Sequence, residues 1–211
     1  MIVHHFTTPI TTPFARKSTQ IYGDLRRLWE KAKIKESAKK PEITGLCRLI
    51  KGYKIMIKVL FVCHGNICRS PMAEFVMKDL AKKAGLASQF HIESAATSRE
   101  EIGNPVYPPA RRKLAEHGIS CDGHAARQLT NADYEKYDLL IGMDQANLRN
   151  MHRICGGDSA GKRRLLMDYT DHPRDVADPW YTGDFEATWQ DVLAGCQGLL
   201  REITGHHHTR E

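Results

Sequence analysis

Val59-Leu-Phe-Val-Cys63-His64-Gly65-Asn66-Ile67-Cys68-Arg69-Ser70-Pro71 is the stretch that decides how this chain folds. The apolar run Ile57–Val62, broken only by Lys58, has the length and β-branching of a buried strand. Gly65 and Asn66 supply a turn that tolerates positive φ. Ser70 suits a helix N-cap and Pro71 the first helical position, with a helix continuing over Met72–Ala84. A loop of backbone N–H groups at a helix N-terminus is a ready anion site. An arginine in it can fork onto two phosphate oxygens. A cysteine facing that positive field is favoured as thiolate and so as nucleophile. Cys63 and Arg69, six apart and followed by Ser70, therefore read as a loop that binds a phosphoryl group and attacks it.

Outward from this stretch the same order of elements repeats. Met72–Ala84 carries Ala73, Val76, Met77, Leu80 and Ala81 at helical spacing, with Gly85 as its stop. Phe90–Ser94 reads as a second strand and Ser94–Ser98 as a polar loop. Pro105–His117 reads as a helix ending at Gly118. Asp138–Met143 is the strongest later strand, after which Asp144 opens a helix over Gln145–Arg153. Arg164–Met167 is a short strand and Asp168–Trp180 an irregular acidic loop. Asp184 caps a last helix whose stripe is Phe185, Trp189, Val192, Leu193, Cys196, Leu199, Leu200 and Ile203. Alternation of this kind implies an α/β fold, a parallel sheet with helices on both faces. Sites in such sheets lie at the C-terminal ends of strands. The polar clusters Cys63–Ser70, Ser94–Ser98, Asp144 and Asp168–Asp178 all fall there.

The formal charge of +6 is a poor guide to partners because it is unevenly placed. Residues 1–55 carry +8, whereas residues 56–211 carry −2. No nucleic-acid role is expected of the main domain on this ground. No apolar run approaches membrane length, so no membrane association is expected. Six cysteines without a secretory signal suggest reduced thiols and a cytoplasmic enzyme. Met1–Gly23 has no acidic residue, and Asp24–Lys40 suits a short basic helix. Residues 1–55 thus read as a basic extension, native or upstream of a start at Met56. Residues 56–204 read as the catalytic domain and 205–211 as a tail.

Cys63-His-Gly-Asn-Ile-Cys-Arg-Ser-Pro71 resembles the signature of the low-molecular-weight protein tyrosine phosphatases. Further matches lie at His124-Ala-Ala-Arg127-Gln128, Asp138–Asn147 and Asp178-Pro-Trp180-Tyr181. The resemblance implies a three-layer sandwich around a four-stranded parallel sheet, Rossmann-like and of the phosphotyrosine phosphatase I type. It implies hydrolysis of phosphotyrosine in proteins through a phosphocysteine, with no metal or other cofactor. Cys63 is then the nucleophile, Arg69 the phosphoryl clamp, and Asp178, 115 positions after Cys63, the general acid that an aryloxide leaving group needs. His64, Gly65, Asn66, Ile67, Cys68 and Ser70 complete the phosphate loop. His124 braces Asn66, Asp144 orients loop elements, and Trp180 and Tyr181 wall the substrate slot. Where this chain has Trp180 the family often has Tyr.

Alternatives stay open at this point. Relatives that hydrolyse phosphoarginine typically carry Thr where Ile67 stands. Arsenate reductases share the loop but relay electrons through two closely spaced cysteines, whereas Cys121 and Cys155 are 34 apart. A phosphate-binding module without activity would not need Cys63, Arg69, Ser70 and Asp178 together. Cys68 is either a packing residue or a redox partner for Cys63. Gly156–Arg163 matches Gly-x4-Gly-Lys, but Arg163 stands where a nucleotide loop wants Ser or Thr, and the run leads into a strand.

Overall fold

The computed structural model describes residues 56–205, all within one compact unit. The extension over residues 1–55, including the helix expected at Asp24–Lys40, and the tail residues His206–His208 lie outside the described residues. Four strands, β1 (Ile57–Cys63), β2 (Phe90–Ala96), β3 (Leu139–Gly142) and β4 (Arg163–Leu165), form one sheet in the order β2-β1-β3-β4. Every pairing is parallel. The helices are α1 (Arg69–Lys83), α2 (Pro108–Glu116), α3 (Asn131–Lys136), α4 (Gln145–Ile154), α5 (Pro179–Thr182) and α6 (Phe185–Thr204).

Alternation along the strands divides the core in two. Val59, Phe61 and Cys63 of β1 join Leu139 and Ile141 of β3 against α1, α2 and α6. Leu60 and Val62 join Leu140 against Tyr134 of α3 and Met151 of α4. A strand buried on both faces needs a continuous apolar run, which is why Val59–Val62 are all fully buried. The apolar stripe of α6 packs in the first of these cores. No described helix is long and apolar enough to cross a membrane.

The element boundaries depart from expectation in places that have physical causes. Helix α1 starts at Arg69, three residues before the expected Met72, with Cys68 at the N-cap position and no side-chain cap. Ser70 is therefore not the cap; its hydroxyl is engaged by Cys63 and Asn66. Helix α2 starts at Pro108 rather than Pro105, because Tyr107 stands before a proline and is held extended at φ −54°, ψ 134°. Strand β2 runs on to Ala96 in register with Cys63. The last strand is Arg163–Leu165, and the expected Leu166–Met167 end of it turns into a 3-10 helix, Leu166–Tyr169. The six-residue α3 was not expected; a capping box between Thr130 and Asp133 starts it. Gly156–Gly161 forms the connection from α4 into β4, with Asp158 accepting from the N–H groups of Lys162 and Arg163.

Helix α6 lies unusually close to the 3-10 turn that leads toward Asp178. A Cβ built on Gly198 would stand 1.9 Å from the carbonyl oxygen of Tyr169, and one on Gly195 2.5 Å from Leu166 Cγ. The obstruction at Gly198 is backbone, so it cannot swing aside. Gly198→Ala is expected to lower the unfolding free energy by about 2–3 kcal/mol through overpacking, read as a shift in the urea midpoint. An unchanged midpoint would show that α6 can slide.

Candidate active site

Strand β1 ends at Cys63 and α1 begins at Arg69, so residues 64–68 must turn sharply between them. Asn66 is the only non-glycine residue with positive φ among the described residues, at 60°. Four loop carbonyls are drawn outward by neighbouring segments. Thr97 N–H donates to the Cys63 carbonyl at 2.9 Å, Ser98 N–H to that of His64 at 3.0 Å, and Tyr107 N–H to that of Ile67 at 2.9 Å. His124 Nε2 bonds the Asn66 carbonyl at 2.9 Å. In a planar trans peptide the N–H points opposite to the C=O. The N–H groups of His64, Gly65, Ile67 and Cys68 are thereby turned to the inner side of the loop. The Asn66 N–H points at Cys63 Sγ, 3.2 Å away. The result is a cradle of donors around one sulfur, suited to an oxyanion with three oxygens.

A buried polar chain fixes the sulfur from below. Asn66 Oδ1 accepts from Arg127 N–H at 3.1 Å, which sets the amide orientation. Its Nδ2 then donates to Ser70 Oγ at 2.9 Å and to Ser94 Oγ at 2.7 Å. Ser94 Oγ in turn donates to Glu74 Oε2 at 2.5 Å. Ser70 accepts from Asn66, so its own hydroxyl hydrogen turns to Cys63 Sγ at 3.0 Å, with the Ala95 carbonyl as a longer acceptor at 3.5 Å. A carbonyl only accepts, so His124 carries its proton on Nε2; its Nδ1 faces Glu74 at 3.9 Å. Glu74 is also paired with Lys78 at 2.5 Å.

Arg69 is buried at 4% exposure and is held by two carboxylates. Its Nη1 donates to Asp144 Oδ2 at 2.7 Å and its Nη2 meets Asp178 Oδ2 at 2.5 Å. Burial works against the guanidinium charge, but Cys63, Asp178 and Asp144 outweigh it and its pKa is raised. Asp144 also caps α4 through Asn147 N–H at 2.6 Å. Asp178 caps α5, accepting from Trp180 N–H at 3.1 Å. A pocket of about 340 Å³ opens above these groups. Cys63, His64, Gly65, Ile67, Cys68, Arg69 and Asp178 line its floor, and Trp180 and Tyr181 stand at its mouth. The two rings are 59% and 85% exposed, so they border the slot without closing it. Tyr107 backs Trp180, with ring centroids 5.6 Å apart.

The residues expected to form the phosphate loop, its clamp, its brace and its walls are thus brought around Cys63 and Arg69, whereas Cys121, Cys155 and Gly156–Arg163 lie elsewhere. Sequence reasoning missed Ser94, Glu74 and Tyr107, and the acidic side of the rim. Glu100 and Glu101 also line the pocket, and Glu100 pairs with His64 Nε2 at 2.9 Å. Ser94 lay in a polar loop recognised only as a cluster. Glu74 stands one helical turn after Ser70, a spacing that could have marked it. Among the described residues no group of three or more His, Cys, Asp or Glu side chains is arranged to hold a metal ion.

Residues 58–208 match the sequence model of the low molecular weight phosphotyrosine protein phosphatases. The chain belongs to this family. It is 42% identical over 150 residues to the low molecular weight protein-tyrosine-phosphatase YfkJ of Bacillus subtilis, covering 70% of this chain and 96% of that protein. It is 38% identical over 149 residues to the low molecular weight phosphotyrosine protein phosphatase of Rattus norvegicus, covering 68% and 94%. The crystal structure of YfkJ superposes with a TM-score of 0.70 at 40% identity, covering 75% of this chain and all of that one. The crystal structure of a drosophila arginine phosphatase superposes with a TM-score of 0.65 at 27% identity, covering 72% and 100%. The parallel sheet with helices on both faces is shared with these structures.

In this phosphatase Cys63 and Cys68 are both free thiols. Burial, followed by the charges of Cys63 and Asp178, pushes Cys68 up to about 12. A thiol that keeps its proton is a slow partner in disulfide exchange. The shift also has a stability consequence. The Cys68 thiol ionises near pH 9 when the chain unfolds, but in the fold only near pH 12. Between those values the unfolded state alone loses the proton, so this group destabilises the fold by up to ~1.4 kcal/mol per pH unit. Below pH 9 it contributes nothing. Urea midpoints measured from pH 8 to pH 11 are expected to fall less steeply in Cys68→Ala than in the wild type. Parallel curves would show that Cys68 does not carry the effect.

Proposed function

We propose that this phosphatase hydrolyses phosphotyrosine in proteins through a phosphocysteine at Cys63. The observation that carries this reading is the convergence on Cys63 Sγ of the Ser70 hydroxyl and the Asn66 N–H, beside a buried Arg69 that also contacts Asp178. In the first step Cys63 Sγ attacks phosphorus, and the bond to the tyrosyl oxygen breaks. Arg69 and the inward loop amides take the charge of the transferring oxygens, which replaces what a metal would otherwise supply. Asp178 gives a proton to the leaving oxygen, since an unprotonated phenolate leaves poorly. In the second step Asp178 takes a proton from water as water attacks the phosphocysteine, and Cys63 leaves as thiolate. Ser70 donates to that sulfur and so lowers the cost of its departure. His124 keeps the turn at Asn66, and Asp144 keeps the plane of Arg69 aligned with the loop.

Trp180 and Tyr181 offer aromatic faces for a substrate ring, with Tyr107 backing Trp180. A thiol relay to arsenate is disfavoured by the cysteines themselves. Cys121 packs in one core and Cys155 in the other, on opposite faces of the sheet. Phosphoarginine remains the second reading, because Glu100 and Glu101 line the mouth where a guanidinium would pass. Ile67 supports the tyrosine reading. It is buried against Cys68 and Ala126 and offers no hydroxyl to a phosphoramidate. Residues 56–204 are read as sufficient to supply all of these groups.

Cys63→Ser is expected to abolish hydrolysis of an aryl phosphate, and Asp178→Ala to lower kcat by about 10²–10⁴-fold while leaving phosphate binding intact. Steady-state rates and competition by inorganic phosphate measure both; full activity of Cys63→Ser would remove the nucleophile assignment. Side-by-side assays on phosphotyrosine and phosphoarginine peptides are expected to favour phosphotyrosine, with Ile67→Thr narrowing the ratio. Equal wild-type rates would remove the argument from Ile67.

A further inference from the structure

Helix α6 carries a buried carboxylate that its packing does not explain. Asp191 is 4% exposed, on a helix that otherwise buries Trp189, Val192 and Cys196. Placing a charge there is costly unless it is paired and hydrogen-bonded. All of its hydrogen bonds run to the segment just before Asp178. Arg174 forks onto it, Nη1 donating to Oδ2 at 2.7 Å and Nη2 to Oδ1. Ala177 N–H donates to the same Oδ2 at 3.1 Å. One turn earlier on α6, Thr188 is fully buried and donates its hydroxyl to the Ala177 carbonyl at 2.9 Å. Both polar groups of Ala177 are therefore fixed by one helix. On the other side Val176 N–H donates to the Met143 carbonyl at 2.8 Å, at the end of β3.

We propose that Asp191, with Arg174 and Thr188, is a positioning device for the general acid: it fixes the peptide that precedes Asp178 and so sets where that carboxyl meets the leaving oxygen. The proposal rests on Asp178 being the acid. The carboxyl has to stand within hydrogen-bond reach of the oxygen it protonates, and Asp178 lies on a loop and a single-turn helix, α5, with little stiffness of its own. Asp191 supplies that stiffness from a 20-residue helix anchored in the core. Its charge does work that a neutral residue would not, because it holds Arg174 and Ala177 at once. Asp191 touches no substrate, and its effect passes entirely through Asp178.

The test is the dependence of kcat/KM, which reports phosphocysteine formation, on the leaving group. Phenyl phosphate needs the acid, whereas 2,4-dinitrophenyl phosphate hardly does. Asp191→Ala is expected to lower kcat/KM for phenyl phosphate by about tenfold or more, and that for the dinitrophenyl ester by less than about twofold. In an Asp178→Ala background, Asp191→Ala is expected to cost nothing further on either ester. Asp191→Asn, which keeps the shape and one acceptor but not the charge, and Thr188→Val are judged by the same two readouts if Asp191→Ala does not fold. Equal losses on both esters, or an added loss without Asp178, would overturn the proposal. If Asp178→Ala itself slows both esters alike, the acid assignment fails and the positioning role falls with it. If Asp178→Ala is selective and the Asp191 and Thr188 variants are not, only the positioning role falls.

Discussion

Asn66 satisfies five hydrogen-bonding demands without contact with water. Its N–H points to Cys63 Sγ, its carbonyl is held by His124, and its side-chain oxygen accepts from Arg127 N–H. Its two amide hydrogens go to Ser70 and Ser94. It does this at φ 60°, where Asn is among the few side chains tolerated at modest cost. The sharp turn between β1 and α1, the inward face of the loop amides and the proton on Ser70 all follow from that one residue. Glycine would make the turn and lose the side-chain bonds. Most other residues would resist the turn itself.

Charge in the site is arranged around Arg69 in the same economical way. A buried guanidinium needs anionic partners, and Asp144 and Asp178 arrive from the ends of two different segments. Asp144 is fixed by α4, which follows directly on β3. Asp178 comes on the long connection after β4, pinned to α6. The sheet order places β1 between β2 and β3, so the loop after β1 is reached from both sides. Thr97 and Ser98 come from the β2 side, and Asp144 from the β3 side. The central position of β1 makes the site possible.

Much of this was legible in the sequence because the chemistry restricts residue types. A buried parallel strand needs the run Val59–Val62, and a phosphate loop needs a turn former, an arginine and a helix start at close spacing. The stripe of α6 was legible for a similar reason, since eight apolar positions at helical spacing have one reading. Other features left no such mark. Ser94 looks like any serine in a polar loop, and Glu74 like a solvated helix residue. Only the folded geometry shows that both end the chain of bonds beneath Cys63. The last strand was expected over Arg164–Met167, but β4 opens at Arg163 and the more apolar Leu166-Met167 went into a 3-10 turn. Asp191, Gly195 and Gly198 drew no reading from the sequence, since a buried charge pair and a close approach have no local signature.

The pair between Arg69 Nη2 and Asp178 Oδ2 has one more consequence. Arg69 Nη2 already holds a carboxylate at 2.5 Å. On the proposed mechanism an arriving phosphoryl group therefore competes with that carboxylate for the same nitrogen. Seating the substrate and releasing Asp178 toward the leaving oxygen are then, on that mechanism, one ligand exchange at Arg69.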